Sequence, residues 1–385
     1  MLSTLEDNIL RFWLDKMVDR ERGGFYGRMT SDGVVDRGAP KGAILTGRIL
    51  WTMSAAYRLT QNPEYLDAAT HAKRFLIDAL YDKEYGGVYW SVEADGTPRD
   101  TKKQFYALGF AIYGLSEYVR ATGDHEALEY AIRLYDAIET HSHDTRYGGY
   151  IEATTRQWQP IEDMRLSAKD RNDCKSMNTH LHIIEPYTNL LRVWRTDELL
   201  ESVCGLLDTF ERHIIDSQSG HLRLFFDDRW QSQSDMVSYG HDIEAAWLLV
   251  EAATVVGDET LVEYFGGIAR RIAEAAAEGL NADGSMSYEY DPTTAHRDDD
   301  RHWWVQAETV VGYYYMWHLY GDQRALDRAV KAWEYIEREI IDTEGGEWWW
   351  SRRADGSINL SEDKAGFWKC PYHNSRMCIE LLQTM

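Results

Sequence analysis

Proton transfer near neutral pH is work for imidazole, whose unperturbed pKa is about 6.5. Four histidines of this chain stand in polar, aromatic surroundings. His180 and His182 lie in Asn178-Thr179-His180-Leu181-His182, His241 opens His241-Asp242-Ile243-Glu244, and His373 ends Trp368-Lys369-Cys370-Pro371-Tyr372-His373. Any one of them alone reads as a helix cap or a packed side chain. Brought to one place, they make an acid–base site. His180 and His182 are two residues apart on a helix, so only one of them faces a shared cavity squarely.

Metal binding is the competing use of these residues. His241 and Glu244 share a helical face at a spacing of three, which suits a metal. However, no HExxH, cysteine ligand pair or acidic loop stands beside them, and no metal is expected. Asp298-Asp299-Asp300 reads as a solvated loop. Without GxSxG or a phosphate-binding loop, a nucleophilic triad and nucleotide chemistry find no support.

Aromatic residues near the same positions indicate the ligand class. Trp303, Trp304, Trp368, Tyr106 and the Trp348–Trp350 run place flat apolar faces beside hydrogen-bonding groups, a pairing that suits sugar rings. Trp247 and Trp333 read instead as core.

The elements that must carry these residues follow from an internal repeat. Gly-plus-aromatic segments begin at Gly23, Gly86, Gly148, Gly220, Gly284 and Gly345, at intervals of 63, 62, 72, 64 and 61 residues. Each is followed by two helical patterns. The joint between them carries Asn62-Pro63, Gly123-Asp124, Thr196-Asp197, Gly257-Asp258 or Gly321-Asp322, which is helix-stop and helix-start chemistry. The first helix of a pair is apolar nearly all round, as in Phe105 to Val119. The second has one stripe, as in Leu128, Ile132, Tyr135 and Ile138.

An inner and an outer ring follow. The N-terminal helix, from Leu5 to about Val18, lacks a partner, and so does the C-terminal helix from about Ser375 to Gln383. Pairing them gives twelve helices in two concentric rings, a closed all-α (α/α)6 barrel with short β-hairpins on one rim. No linker interrupts it, so residues 1–385 are expected to form a single domain. Every inner helix then starts at one end, which gathers Arg48, Tyr106, the Asn178–His182 run, His241 and Glu244, Trp303 to Glu308, and Trp368 to His373.

Composition narrows the partner. With 41 Lys+Arg against 64 Asp+Glu the net charge is −23, which disfavours nucleic acid and anionic membranes. A neutral mono- or disaccharide is the expected ligand, and a monomer the expected state. The 4 cysteines form no CxxC pair, and the start of the chain carries Glu6 and Asp7 where a secretory signal is basic. A reducing, cytoplasmic setting is expected.

Four motifs in order, at matching places in the repeat, resemble the cellobiose 2-epimerases of the N-acylglucosamine 2-epimerase superfamily. They are Asn178 to His182 with Tyr187-Thr188-Asn189-Leu190 behind it, Gly240 to Glu244, Trp303 to Glu308, and Trp368 to His373. The resemblance implies an (α/α)6 barrel and cofactor-free inversion at C2 of a reducing-end aldose, as in cellobiose to glucosyl-mannose. It implies His241 and His373 as paired acid–base catalysts and His182 as a third essential histidine. Arg48 and Glu244 become supporting polar groups, Trp304 and Trp368 sugar-stacking residues, and Asp170 a loop aspartate that binds sugar. Tyr106, Asn178, His180, Trp303 and Glu308 complete the expected binding set.

The chemistry of such a reaction suits these residues. Once the sugar ring opens, the C2 proton is acidified by the aldehyde, and an imidazole removes it to give an enediol. Inversion requires proton exchange on both faces of C2. Glu244, one turn from His241, is placed to hold its tautomer, and Arg48 to stabilise enediolate charge. Pro186 departs from the expected pattern and predicts a kink about one turn after His182.

Aldose–ketose isomerisation shares the enediol and is the alternative, with free mannose or mannobiose as alternative substrates. Glycoside hydrolysis would need Glu244 and Glu308 as principal carboxylates. A carbohydrate-binding protein without activity is the third option.

Overall fold

The computed structural model describes residues 1–167 and 169–384. Helices dominate it: α1 (Ala43–Thr60), α2 (Pro63–Phe75), α3 (Phe105–Thr122), α4 (His125–His141), α5 (Met177–Leu191), α6 (Asp197–Thr209), α7 (Tyr239–Val256), α8 (Glu259–Ala276), α9 (Trp303–Tyr320), α10 (Gln323–Tyr335) and α11 (Tyr372–Thr384). An N-terminal helix in two parts, Thr4–Leu10 and Trp13–Met17, precedes them.

Burial separates the two kinds of helix. Every residue of α3 from Phe105 to Tyr118 is buried, whereas α4 buries only Ala127, Ala131, Leu134, Tyr135 and Ile138. Helices of the first kind pack on one another: α1 on α3, α3 on α5, α5 on α7, α7 on α9, α9 on α11, and α11 back on α1. The second kind backs them, α2 on α1, α4 on α3, α6 on α5, α8 on α7 and α10 on α9, while Thr4–Leu10 backs α11.

Local chemistry sets the joints. Gln61, Gly123, Gly257 and Gly321 are left-handed where an inner helix stops. The side chains of Asn62, Asp124, Thr196, Asp258 and Asp322 then accept from backbone N–H groups of the next helix, each such cap contributing about 1 kcal/mol.

Short strands lead into the inner helices and stitch neighbouring repeats together. Lys41–Gly42 pairs with Ser91–Val92, Lys103–Gln104 with Ala153–Thr154, and Lys175–Ser176 with Phe225–Phe226. Val237–Ser238 pairs with Glu289–Asp291, Arg301–His302 with Ser351–Arg352, and Met29 bridges Ala365. The expected rim hairpins are thus only part of the pattern. Most named strand pairs join one repeat to the next, while each Gly-rich turn closes with a single bridge, such as Tyr81 to Val88 or His143 to Tyr150.

Two rim features were not read from the sequence. Buried lysines reach the aspartates that organise the Gly-rich turns, Lys41 to Asp19 at 2.7 Å, Lys103 to Asp82 at 2.9 Å, Lys175 to Asp144 at 2.7 Å and Lys364 to Asp342 at 2.6 Å. In the second turn of each repeat, one left-handed position holds Gly33, Gly96 or Gly356 in three cases and Trp158, Trp230 or Ala295 in the others. The two indoles stack flat on His141 and His213, at 4.2 and 4.6 Å, which offsets the backbone strain.

Removing the lysine of one such pair strands a buried carboxylate. Lys41→Met is expected to cost about 3–5 kcal/mol, measured by urea unfolding, whereas Arg99→Met, in an exposed pair with Glu93, stays within about 1 kcal/mol.

Candidate active site

His182 sits at a break in α5. Its φ and ψ are −93° and 16°, outside the helical range, although the helix runs on to Leu191. Pro186, four residues on, is the cause: its ring displaces the carbonyl of residue i−4, which is that of His182. The kink therefore falls at His182 itself, one turn earlier than the sequence reading placed it. The displaced carbonyl turns toward α3, where Gly109 leaves room, since a Cβ there would lie 2.3 Å from it.

Three imidazoles share one arrangement. His182 Nδ1 lies 3.0 Å from Glu185 Oε2, His373 Nδ1 lies 2.7 Å from Glu308 Oε1, and His241 Nδ1 lies 2.7 Å from Ser238 Oγ. Among the described residues no protein group bonds Nε2 of any of the three, and none of those atoms is sealed from solvent. His241 and His373 both pack on the indole of Trp304, with ring centres 4.7 and 5.6 Å from it. His182 packs on Tyr106 at 5.0 Å and Phe110 at 5.1 Å.

Burial dominates their titration. Loss of water pushes His241 down to about 3, with the neighbouring His182 adding to the effect. Burial, then the cations of Arg48 and Arg376, holds His373 well below the ordinary imidazole value. His182 is lowered by burial too, against the pull of Glu185. All three are neutral at neutral pH.

Beneath the histidines, Arg376 of α11 faces carboxylates from three other inner helices. Its Nη2 donates to Glu244 Oε1 at 2.5 Å and Glu308 Oε1 at 2.6 Å, and its Nη1 donates to Glu185 Oε1, which also accepts from the Tyr372 hydroxyl. Trp247 Nε1 donates to Glu308 Oε2 at 3.1 Å, so this core indole also serves the network. Burial alone would raise Glu185, but Arg376 and His182 outweigh it and hold the carboxyl below its ordinary value. Glu244 is pushed well above that value by burial and by the charge of Glu308. Glu244, Glu308 and His373 bring ligand atoms within 4.8 Å of one another. The guanidinium already lies between the two carboxylates and supplies the positive charge.

The pairing of Glu244 with His241 expected from their spacing is not formed; Ser238 holds that imidazole, and Glu244 turns to Arg376. Arg48 donates to the Tyr106 hydroxyl at 2.8 Å, lies against the rings of Phe110 and Tyr372, and has no carboxylate partner among the described residues. Its buried Nε is unpartnered. Trp368 stands beside Tyr106 and Trp90.

Other expected residues are engaged in other contacts. His180 is fully buried, with Nδ1 on the Ser176 carbonyl at 2.7 Å and Nε2 accepting from Tyr150 N–H at 2.9 Å, so neither nitrogen is left for a ligand. Trp303 is buried and packs on Trp350 at 4.7 Å. Asn178 and Asp170 line a small pocket with Glu152, whose buried carboxyl is pushed up to about 8 by loss of water. Asp170 belongs to segment 155–174, the source of the 72-residue interval, which reaches back to Gln104 through Met164 O. Asp299, of the acidic run, accepts from Ser287 and pairs with Arg297.

Sequence reasoning missed Glu185, Arg376, Tyr372, Ser238 and Phe110. A signal for two of them was present: His182, His241 and His373 are each followed three residues later by a charged residue, Glu185, Glu244 and Arg376. Gly109→Ala tests the fit of the His182 carbonyl. Its Cβ would force backbone apart and is expected to cost roughly 1–3 kcal/mol by urea unfolding, while Gly205→Ala, with open space around it, leaves stability unchanged or raises it.

Comparison with known proteins agrees with this geometry. Residues 24–376 match the N-acylglucosamine 2-epimerase (GlcNAc 2-epimerase) family. A cellobiose 2-epimerase of Bacteroides fragilis is 58% identical over 382 residues, covering 99% of this chain and 97% of that protein. The solved structure of a cellobiose 2-epimerase from Bacillus thermoamylovorans superposes with a TM-score of 0.95 at 41% identity, covering 100% of this chain and 98% of that one. A D-mannose isomerase of Marinomonas mediterranea is 22% identical over 395 residues, 98% of this chain and 95% of that protein. The chain belongs to the N-acylglucosamine 2-epimerase family of sugar epimerases.

Proposed function

We propose that this protein inverts C2 of the reducing-end aldose of a neutral disaccharide, interconverting glucose and mannose units, with cellobiose to glucosyl-mannose as the first reaction to test. The observation that carries the proposal is that His241 and His373, from different inner helices, both pack on the indole of Trp304, each with an Nε2 unpartnered among the described residues. A sugar bound beside that indole lies within reach of both imidazoles. After ring opening, one imidazole removes the C2 proton and the other returns a proton to the opposite face, through an enediol.

The remaining residues take supporting roles in this reading. Arg48, without a carboxylate of its own, offers its charge to the enediolate oxygen. His182 exchanges protons with the sugar oxygens, Trp368 and Tyr106 hold the reacting ring, and Asn178 and Asp170 meet the rest of the substrate. No cofactor takes part.

The closed run of packed inner helices and the outer helix behind each support an (α/α)6 barrel formed by residues 1–385 as a single domain. No helix among the described residues is long and apolar enough to cross a membrane. A cytoplasmic monomer acting on free sugar, without nucleic acid, completes the proposal. Aldose–ketose isomerisation is the second reading, because the D-mannose isomerase relative spans nearly the whole chain and the same enediol reprotonated at C1 gives a ketose.

Incubation with cellobiose, mannobiose or mannose in deuterated water, followed by NMR, separates the readings. Deuterium at C2 of an epimerised aldose is expected. A ketose product would replace the first reading by the second, and no incorporation from any sugar would defeat both. His373→Asn is expected to lower kcat by about 10²-fold or more, measured by the same exchange.

The pH profile gives an independent check. A lowered imidazole stays neutral, and able to accept a proton, to lower pH, so the acid limb of kcat/KM should fall below the 6.5 of a free imidazole.

A further inference from the structure

Arg376 touches no position open to a sugar: it is fully buried, stacked between the rings of Trp247 and Tyr372 at 4.8 and 4.3 Å. Yet it is bonded to the carboxylates that hold two of the three imidazoles, Glu185 for His182 and Glu308 for His373. We propose that Arg376 is a positioning residue that fixes His182 and His373 together as Nδ1–H tautomers. This inference rests on the epimerase reading for its catalytic meaning, though not for its geometry.

The argument is one of donors and acceptors. An ionised carboxylate only accepts, so an imidazole nitrogen bonded to it must carry the hydrogen, and in a neutral ring the other nitrogen is then a lone pair. Glu185 and Glu308 impose this on Nδ1, leaving Nε2 of both rings as the basic atom. A protonated carboxyl can donate instead. It would turn Nδ1 into the acceptor, move the ring hydrogen to Nε2, and convert a base into an acid.

Ionisation is what Arg376 secures. Glu185, Glu244 and Glu308 are all buried, and the one guanidinium of Arg376 is paired with each of them. Without that cation the buried carboxylates lose their compensating charge, and for Glu185 the loss removes what outweighs burial. The fork matters as much as the charge, because Nη1 serves Glu185 while Nη2 serves Glu244 and Glu308. An ammonium is a point charge and does not span both sides. His241, held by the Ser238 hydroxyl, lies outside this control, since a hydroxyl accepts or donates with equal ease.

The test reads tautomers directly. Two-bond ¹⁵N–¹H correlation spectra of the full-length protein, labelled with ¹⁵N-histidine at pH 8, should show Nδ1–H for His182 and His373; predominant Nε2–H at either overturns the proposal. In Arg376→Lys, part or all of the His182 or His373 signal is expected to move to Nε2–H, with kcat for C2 exchange reduced 10- to 100-fold and KM within about threefold. Retention of both Nδ1–H signals, whether kcat falls or not, overturns it, because a merely structural arginine would leave the tautomers alone. Arg376→Met should shift both rings. If it does not fold, the wild-type and Arg376→Lys spectra still decide. Nδ1–H rings in a protein that exchanges no sugar would sink the epimerase reading and leave the tautomer assignment standing.

Discussion

One buried guanidinium among three buried carboxylates is the constraint on which the rest of the site depends. Arg376 comes from α11, Glu185 from α5, Glu244 from α7 and Glu308 from α9, so the charges meet only if those inner helices converge. Breaking such a group by removing one member leaves an uncompensated charge in the interior and costs several kcal/mol. Packing and catalysis therefore make the same demand on the helices. His182 and His373 stand directly on the network through Glu185 and Glu308, so any shift of a helix large enough to loosen an ion pair also re-aims those two rings.

Much of this was legible in the sequence. The Gly-aromatic period, the Asn, Thr and Asp caps and the contrast between all-round and single-stripe helices are local features, and the structure follows them closely. His182, His241 and His373 were readable as a group because the repeat puts each near the start of an inner helix. His180 was not separable from His182 on the same evidence. Their neighbours decide the difference: Tyr150 N–H and the Ser176 carbonyl occupy both nitrogens of His180.

What the sequence did not yield is long-range. Arg376 and Glu185 are 191 positions apart, and only the ring makes them partners. Glu244 was assigned to His241 because a spacing of three places them on one face, but a nearer hydroxyl and a stronger cation took the two side chains elsewhere. Pro186 was read correctly as a kink and placed one turn late, since the clash of a proline ring acts backward along the helix. The buried lysines at the rim look like ordinary surface charges until the turns they tie are seen.

The packing of Thr4–Leu10 behind α11 has a bearing on how the charges come to rest. In chain order the acids on α5, α7 and α9 precede the arginine on α11 that pairs with them, while the segment that backs α11 precedes them all. The packing of α11 on α9, on α1 and on Thr4–Leu10 closes the ring of inner helices and brings in the cation at the same place, so the closure that completes the packing also completes the charge balance.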